Sequence, residues 1–340
     1  MKKRGITIAG NLIVDYVKVI DTYPDIGLLC NIQSTSRHVG GCAANTPSDL
    51  ALLDSDLPIK CLGLVGDDEN GQFLIDFLTD KGIDCSGIRK TSKFATSYTD
   101  VMSIQSSGAR TFFHFKGANS AFGMEDINFD ALETDFFHIG YALLLDSFDQ
   151  SDSDYGTVMA RTLAKIHEKG IRTSMDVVSE AGSGERFRKI VRPCLPYCDY
   201  IVINEIEASQ TTGIRVRTDN GAIDQVRVKK VCSQMLDFGV NKMVVIHAPE
   251  GGWAMTRDGQ FAFEPSFDLP DGYIAGTVGA GDAFCAGVLY GAYMGYSLQK
   301  ALELANACAA CNLSSANSTD GMKPVGEVLR ICSQFKKRSI

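Results

Sequence analysis

No run of lysines and arginines in these 340 residues is longer than three. The 33 basic residues are outnumbered by 41 acidic ones, for a formal net charge of −8. That balance excludes nucleic acid as the main partner. No apolar run is long enough to span a membrane, so no membrane partner is expected. Residues 1–17 have a basic end and an apolar stretch like a secretory signal, but Asn11 and Asp15 break the stretch and no clear cleavage site follows. Eleven cysteines are scattered without framework spacing. A chain of this size needs no staples, so reduced thiols and a cytoplasmic location are expected. The lone CxxC, from Cys308 to Cys311, lies in an Ala-rich helical segment and reads as two small buried residues. No GxGxxG follows the first strand, which argues against a dinucleotide-binding oxidoreductase. There is no internal repeat and no disordered linker.

What is present is a regular α/β pattern. Apolar residues make up 45% of the chain, enough for a large core. Strands are predicted at residues 5–9, 60–65, 135–139, 172–177, 200–203 and 242–247. Helices are predicted near residues 153–169, 185–192, 206–212, 222–238, 298–313 and 325–335. Such alternation implies a mostly parallel sheet covered on both faces. Two stretches interrupt it. Residues 13–37 and 95–116 are β-rich, with too little companion helix for a main-sheet unit. They pair as one small β lid, inserted in a core made of residues 1–12, 38–94 and 117–340.

The stretch from Tyr273 to Gly295 organises the chain. A loop runs into Gly279-Ala280-Gly281, then Asp282, then an apolar run rich in small residues. This reads as a loop feeding a buried helix. First-turn backbone N–H groups are unpaired and carry partial positive charge, and small residues let an anion reach them. Asp282 at the same helix start is placed to take a proton from a hydroxyl beside that anion. Cradle and base together are the minimum apparatus for moving a phosphoryl group onto an alcohol. Taken alone, the stretch equally fits a turn with Asp282 as a plain N-cap. Elsewhere, Asn11 and Asp15 follow the first strand, where α/β sheets bind ligands. Gly40 and Gly41 permit close approach of a ligand to backbone, and Asn45 offers a donor and an acceptor.

These segments, in this order, resemble the ribokinase-like (PfkB) family of carbohydrate kinases. The resemblance rests on GNLIVD after the first strand, Gly40-Gly41 through Asn45, and Val65 to Gly71. It continues through Gly117-Ala118-Asn119, Asn204 to Glu207, and GTVGAGDAF at residues 276–284. It implies a ribokinase-like fold and an ATP- and Mg²⁺-dependent kinase acting on a hydroxymethyl group of a sugar or sugar-like substrate. A nucleoside kinase is the alternative, and a non-catalytic binding relic a third reading. Asp282 matches the family's base, and Gly279, Ala280 and Gly281 its anion hole. Asn204 and Glu207 match the region that helps hold Mg²⁺ through water. Asp15, Gly40, Gly41 and Asn45 match sugar contacts, with Asn11 beside them, and Asn306 falls beside the adenine. Loss of Asp282 is expected to nearly silence turnover, and loss of Asn45 mainly to weaken substrate binding. The resemblance also implies a homodimer through the lid.

Three departures qualify it. Gly276 and Val278 stand where several relatives have an Asp and a hydroxyl that bind a monovalent cation, so K⁺ activation is not carried over. Asp176-Val177-Val178-Ser179-Glu180 lacks the Asn and Arg of the D-x-N-x-R pattern of many sugar kinases. His247 replaces a common Gly, either capping a strand or bordering the nucleotide. On the second lid strand, Phe113 and Phe115 share one face and His114 and Lys116 the other. Alternation alone does not say which face meets substrate. If it is the His114 face, an acidic substrate becomes plausible.

Overall fold

The structure, a computed structural model, describes residues 4–106, 109–179 and 184–339. Ser107 and Gly108 of the expected lid turn, and Glu180 of the mid-chain motif, lie outside the described residues.

The first strand, β1 (Ile6–Gly10), is wholly buried. It is third from one edge of a nine-stranded sheet, and its side chains enter a core on each face, Ile6 and Ile8 on one and Ala9 on the other. Beside it on one side are β4 (Ile59–Gly66) and β5 (Asp84–Thr91), all parallel. On the other side are β8 (Phe136–Ala142), β11 (Arg172–Val177), β12 (Tyr200–Asn204) and β13 (Met243–Ala248), also parallel. An antiparallel extension, β14 (Gly251–Thr256) and β15 (Phe261–Pro265), closes that edge.

Alternation along each strand feeds two cores. Val244 and Ile246 of β13 join the cluster that holds Leu163, Val231 and Trp253. Met243 and Val245 point the other way, into the cluster with Leu50, Phe284 and Leu304. Helices α4 (Val158–Glu168), α5 (Glu205–Thr212) and α6 (Gln225–Asp237) supply the first core. The second core takes α1 (Cys42–Leu53), α2 (Glu69–Asp80), α7 (Ala280–Met294), α8 (Leu298–Asn312) and α9 (Val325–Cys332).

The glycines inside α7 would each cost about 1 kcal/mol relative to Ala in an isolated helix. Packing explains them. A Cβ on Gly287 would sit 2.6 Å from Ala305 Cα, and one on Gly291 2.9 Å from Ala301 Cβ. Without side chains there, α7 lies directly on α8, and that contact fixes the helix that carries Asp282.

A second sheet has the order β3 (Ile32–Gly40), β2 (Ile13–Ile20), β6 (Tyr98–Ile104), β7 (Arg110–Phe115). β3 runs on to Gly40, past the boundary expected at residue 37, because His38 and Val39 pair with Asp15 and Val14. The entry points of this sheet are tied together. Buried Asn119 accepts from Leu12 N–H at 3.1 Å and donates back to Leu12 O at 3.0 Å. Its own N–H donates to Ser97 Oγ at 3.2 Å, and Ser97 Oγ donates to Lys116 O.

Two expectations need correction. β5 was not foreseen: it is a half-exposed edge strand, and its sequence DCSGIRKT lacks an alternating apolar pattern. The helix expected from residue 153 begins at Val158, where Thr157 Oγ1 accepts from Ala160 N–H at 3.1 Å as the N-cap. The residues before it form a one-turn helix, α3 (Asp146–Asp149), and a two-strand clip, β9 (Ser151–Asp152) and β10 (Gly156–Thr157). Cys308 and Cys311 are buried free thiols, as the CxxC reading expected. No helix of the described residues is long and apolar enough to cross a membrane.

Candidate active site

Asp282 lies in the first turn of α7 and is only 4% exposed. Gly279 is the N-cap, with φ of 81°. A Cβ there would sit 2.5 Å from the Ser318 carbonyl oxygen, so this glycine serves the turn itself. Gly281 differs. The nearest atom to a Cβ placed on it is His247 Cε1 at 3.5 Å, so its missing side chain leaves free space at the helix start. That is where first-turn N–H groups can meet an anion.

Two cavities flank this helix start. One, of about 230 Å³, is lined by Tyr141, Asp176, Glu207, Asp282 and Cys285 among others. The other, of about 500 Å³, is lined by Ala248, Phe267, Ile274, Ala280, Phe284, Asn306 and Leu313 among others. Asn204, His247 and Gly281 border both. Polar chemistry is thus gathered on one side and an apolar slot lies on the other.

The Asp282 carboxylate is held at one oxygen. Asn45 Nδ2 donates to Oδ2 at 2.8 Å, and the Tyr141 hydroxyl donates to the same atom at 3.0 Å. Burial, with Asp176 nearby, pushes Asp282 up to about 7, and the two donors oppose that rise. Asn45 is itself 2% exposed, and its Oδ1 accepts from Ser318 Oγ at 2.8 Å. Both ends of its amide are therefore committed to protein.

The glycine pair serves two contacts. Asp15 lies against Gly40, where a Cβ would collide with its carboxylate. Gly41 has φ of 84° and packs on the Asn11 backbone. Burial pushes Asp15 up to about 6, opposed by Thr99 and Arg110. Asn11 is fully buried; its Nδ2 donates to Tyr141 O at 3.3 Å, and its Oδ1 has no partner among the described residues. The structure thus gathers Asp15, Gly40, Gly41 and Asn45 on the Asp282 side, with Asn11 beneath.

Register identifies the face of the small sheet that carries Asp15. His38, Asp15, Thr99 and His114 pair directly across the four strands. Thr99 Oγ1 and His114 Nδ1 are 3.0 Å apart. His114 therefore shares the Asp15 face, whereas Phe115 packs with Tyr98 on the other. Lys116 is engaged by Asp146 at 2.6 Å.

Asn204 and Glu207 form a capping box at the start of α5. Asn204 Oδ1 accepts from Glu207 N–H at 2.9 Å, and Glu207 Oε2 accepts from Asn204 N–H at 2.9 Å. Burial pushes Glu207 up to about 8. The smaller cavity thus has three carboxylates, Asp176, Glu207 and Asp282, and no Lys or Arg among its lining residues. Asn306 Nδ2 donates to Glu264 O at 2.9 Å at the wall of the larger cavity. His247 stacks on Phe284 with centroids 4.9 Å apart, and burial pushes its imidazole down to about 4. Neutral at ordinary pH, it brings no charge to the junction.

Two contributors carry no sequence signal. Ser318 lies in a polar loop with nothing to distinguish it. Tyr141 lies near the end of the buried strand β8, and its left-handed backbone brings its side chain to Asp282.

Residues 10–324 match the model of the pfkB family carbohydrate kinases. The chain belongs to that family. As a pfkB member it is a carbohydrate kinase, a phosphotransferase with an alcohol group as acceptor. It is 27% identical over 303 residues to an ATP-dependent ribose-1-phosphate kinase of Halopiger xanaduensis, covering 89% of each chain. It is 22% identical over 304 residues to a 5-dehydro-2-deoxygluconokinase of Geobacillus thermodenitrificans, covering 88% of this chain and 86% of that one. The pfkB fold is shared with Arabidopsis thaliana ribokinase complexed with ribose and ATP. That match has a TM-score of 0.78 at 20% identity and covers 97% of this chain and 99% of the ribokinase.

Proposed function

We propose that this kinase transfers the γ-phosphoryl of ATP to a hydroxymethyl group of a sugar or sugar-like substrate, with Asp282 as the general base. One observation carries the reading: a buried carboxylate with its pKa near 7 stands in the first turn of the helix that separates the two cavities. A base of that strength takes a hydroxyl proton effectively at neutral pH. The Gly279-Ala280-Gly281 backbone is the anion hole for the transferring group, and the apolar slot beside Asn306 takes the adenine. Asp15 receives hydrogen bonds from sugar hydroxyls. Closure of the small sheet as a lid would keep water from competing as acceptor.

Mg²⁺ fits the residues present. It prefers a few oxygen ligands with retained water, and the smaller cavity is rich in carboxylates without a side-chain cation in its lining. Asn204 and Glu207 would hold it through water, and it would neutralise charge on the phosphates. No K⁺ requirement is inferred, since neither Gly276 nor Val278 offers a side-chain ligand. A nucleoside acceptor is the alternative, and the nucleosides in the panel below test it. The exposed side chains of Leu28, Leu29, Phe112 and Phe113 support a homodimer through the small sheet. Light scattering that finds a monomer at micromolar concentration would exclude it.

The experiment is ADP release from Mg²⁺-ATP against a panel of ketoses, aldoses, sugar acids and nucleosides, with and without K⁺. Acids belong in the panel because His114 and Asp15 share a face, with Arg110 acting on Asp15. A strong signal on one class, lost in Asp282→Asn, is the expected result. Full activity in that variant would remove Asp282 from the role of base.

A further inference from the structure

Tyr141 and Leu143 are the non-glycine residues with positive φ among those described, at 58° and 84°. A bulky side chain rarely adopts this conformation, and it persists only where surrounding contacts impose it. At Tyr141 the contacts come from both sides. Its N–H donates to Asp176 Oδ1 at 2.6 Å, and its carbonyl accepts from Asn11 Nδ2 at 3.3 Å. Two strand exits, those of β1 and β11, thus grip the backbone of one residue on both its sides. The consequence is the direction of the side chain. A left-handed residue at the end of β8 turns its ring into the cavity beside Asp282, and its hydroxyl reaches Oδ2.

That oxygen then has two donors, the Tyr141 phenol and the Asn45 amide. The other oxygen, Oδ1, has no hydrogen-bond partner among the described residues. We propose that Tyr141 is a positioning residue for the base: with Asn45 it clamps Oδ2 and leaves Oδ1 as the oxygen that receives the acceptor proton. This rests on the reading of Asp282 as the base. In the step, the acceptor O–H bond breaks and its proton passes to Oδ1. The freed oxygen forms the new O–P bond as the bond from the γ-phosphorus to the bridging oxygen of ADP breaks. Tyr141 keeps its own proton throughout, because burial and the neighbouring Asp282 hold the phenol well above its ordinary range.

The clamp also opposes the site's negative charge. Asp282 faces Asp176 from β11, Asp15 from β2, Cys42 and Asp49 from α1, and Cys285 from its own helix. Every neighbour in that set, once ionised, disfavours a second charge. The hydrogen bonds from Tyr141 and Asn45 favour the carboxylate.

The test is Tyr141→Phe, which keeps the ring and removes the donor. The ¹³C resonance of the Asp282 side-chain carboxyl, assigned by its loss in Asp282→Asn, is titrated in the full-length protein without substrate. The midpoint is expected to rise by about one pH unit. Turnover of the best acceptor from the panel is expected to fall about 10- to 100-fold in kcat, with little change in its KM. A structural role alone would not move the carboxyl titration. An unchanged midpoint, or an effect confined to KM, would overturn the proposal. Melting temperature, checked in parallel, shows that the variant folds. If Asp282→Asn keeps full turnover, the base reading fails on its own, while the titration still reports whether Tyr141 holds the carboxylate.

Discussion

The Asn45 amide donates to the Asp282 carboxylate at 2.8 Å, joining residues 237 apart in sequence. Ser318 fixes the other end of that amide, so Asn45 presents one orientation to Asp282. With Asp282 as the proposed base, an asparagine so committed is expected to orient it rather than to read the sugar. Asn45→Ala is therefore expected to lower kcat about 10- to 100-fold, the value of one hydrogen bond to a charged group, with a smaller change in the sugar KM. Steady-state kinetics on the panel acceptor checks this. A rise in KM alone would return Asn45 to the role of substrate contact.

The pH dependence follows from Asp282. Its carboxyl is raised to about 7 by burial and by Asp176, and only the ionised form accepts a proton. Activity should therefore be lost as pH falls through about 7 and level off above it. Because kcat/KM reports the free enzyme, that profile is the one to measure. An acidic limb near 4 would place the base elsewhere.

Asp49 carries a cost that can be relieved. It is fully buried on α1, and neither carboxylate oxygen has a partner among the described residues. Burial, followed by the charge of Asp282, holds it well above 3.8. A carboxyl raised on folding stays protonated while the unfolded chain ionises, so it lowers stability as pH rises above 3.8. Asp49→Asn removes that term. The stability of the variant relative to wild type should grow from pH 4 to pH 8, to a gain of about 1–3 kcal/mol. Urea melts at both pH values measure it, and a pH-independent difference would contradict it.

The two glycines of the proposed anion hole should fail differently. Gly279→Ala puts a Cβ on a residue at φ of 81° and 2.5 Å from the Ser318 carbonyl oxygen. It should lower stability by at least about 1–2 kcal/mol, the left-handed cost alone. Gly281→Ala meets nothing closer than His247 Cε1 at 3.5 Å. It should melt like wild type yet lose turnover, because in the proposed anion hole its methyl group takes space that the phosphoryl group needs. Calorimetry beside activity assays separates the two, and equal losses of stability would contradict this division.

The sequence revealed what is local or doubly buried. Strands such as β12 and β13 are buried on both faces, so their apolar runs stand out in the sequence. Gly279 to Asp282 was legible because its chemistry lies within four consecutive residues. β5 was not, since an edge strand has only one covered side and needs no apolar run. Tyr141 was illegible for another reason: its place depends on a left-handed backbone held by Asp176 of β11 and by Asn11, just past the end of β1. The lid faces fall between these cases. Period-2 alternation separated Phe113 from His114, but only the register through Thr99 joins His114 to Asp15.

The Asn119 side chain holds Leu12 at both its N–H and its carbonyl, while Ser97 ties in Lys116 and Asn119. Three of the four chain crossings into the small sheet are therefore pinned at one axle. Any swing of that sheet must pivot there, with Asp15 only three residues from the axle and the far strand ends on the long arm. The lever is short for Asp15 and long for the turn ends. A swing that sweeps the rim widely would move the Asp15 carboxylate little, so the proposed sugar contact would stay set while the entrance opened and shut.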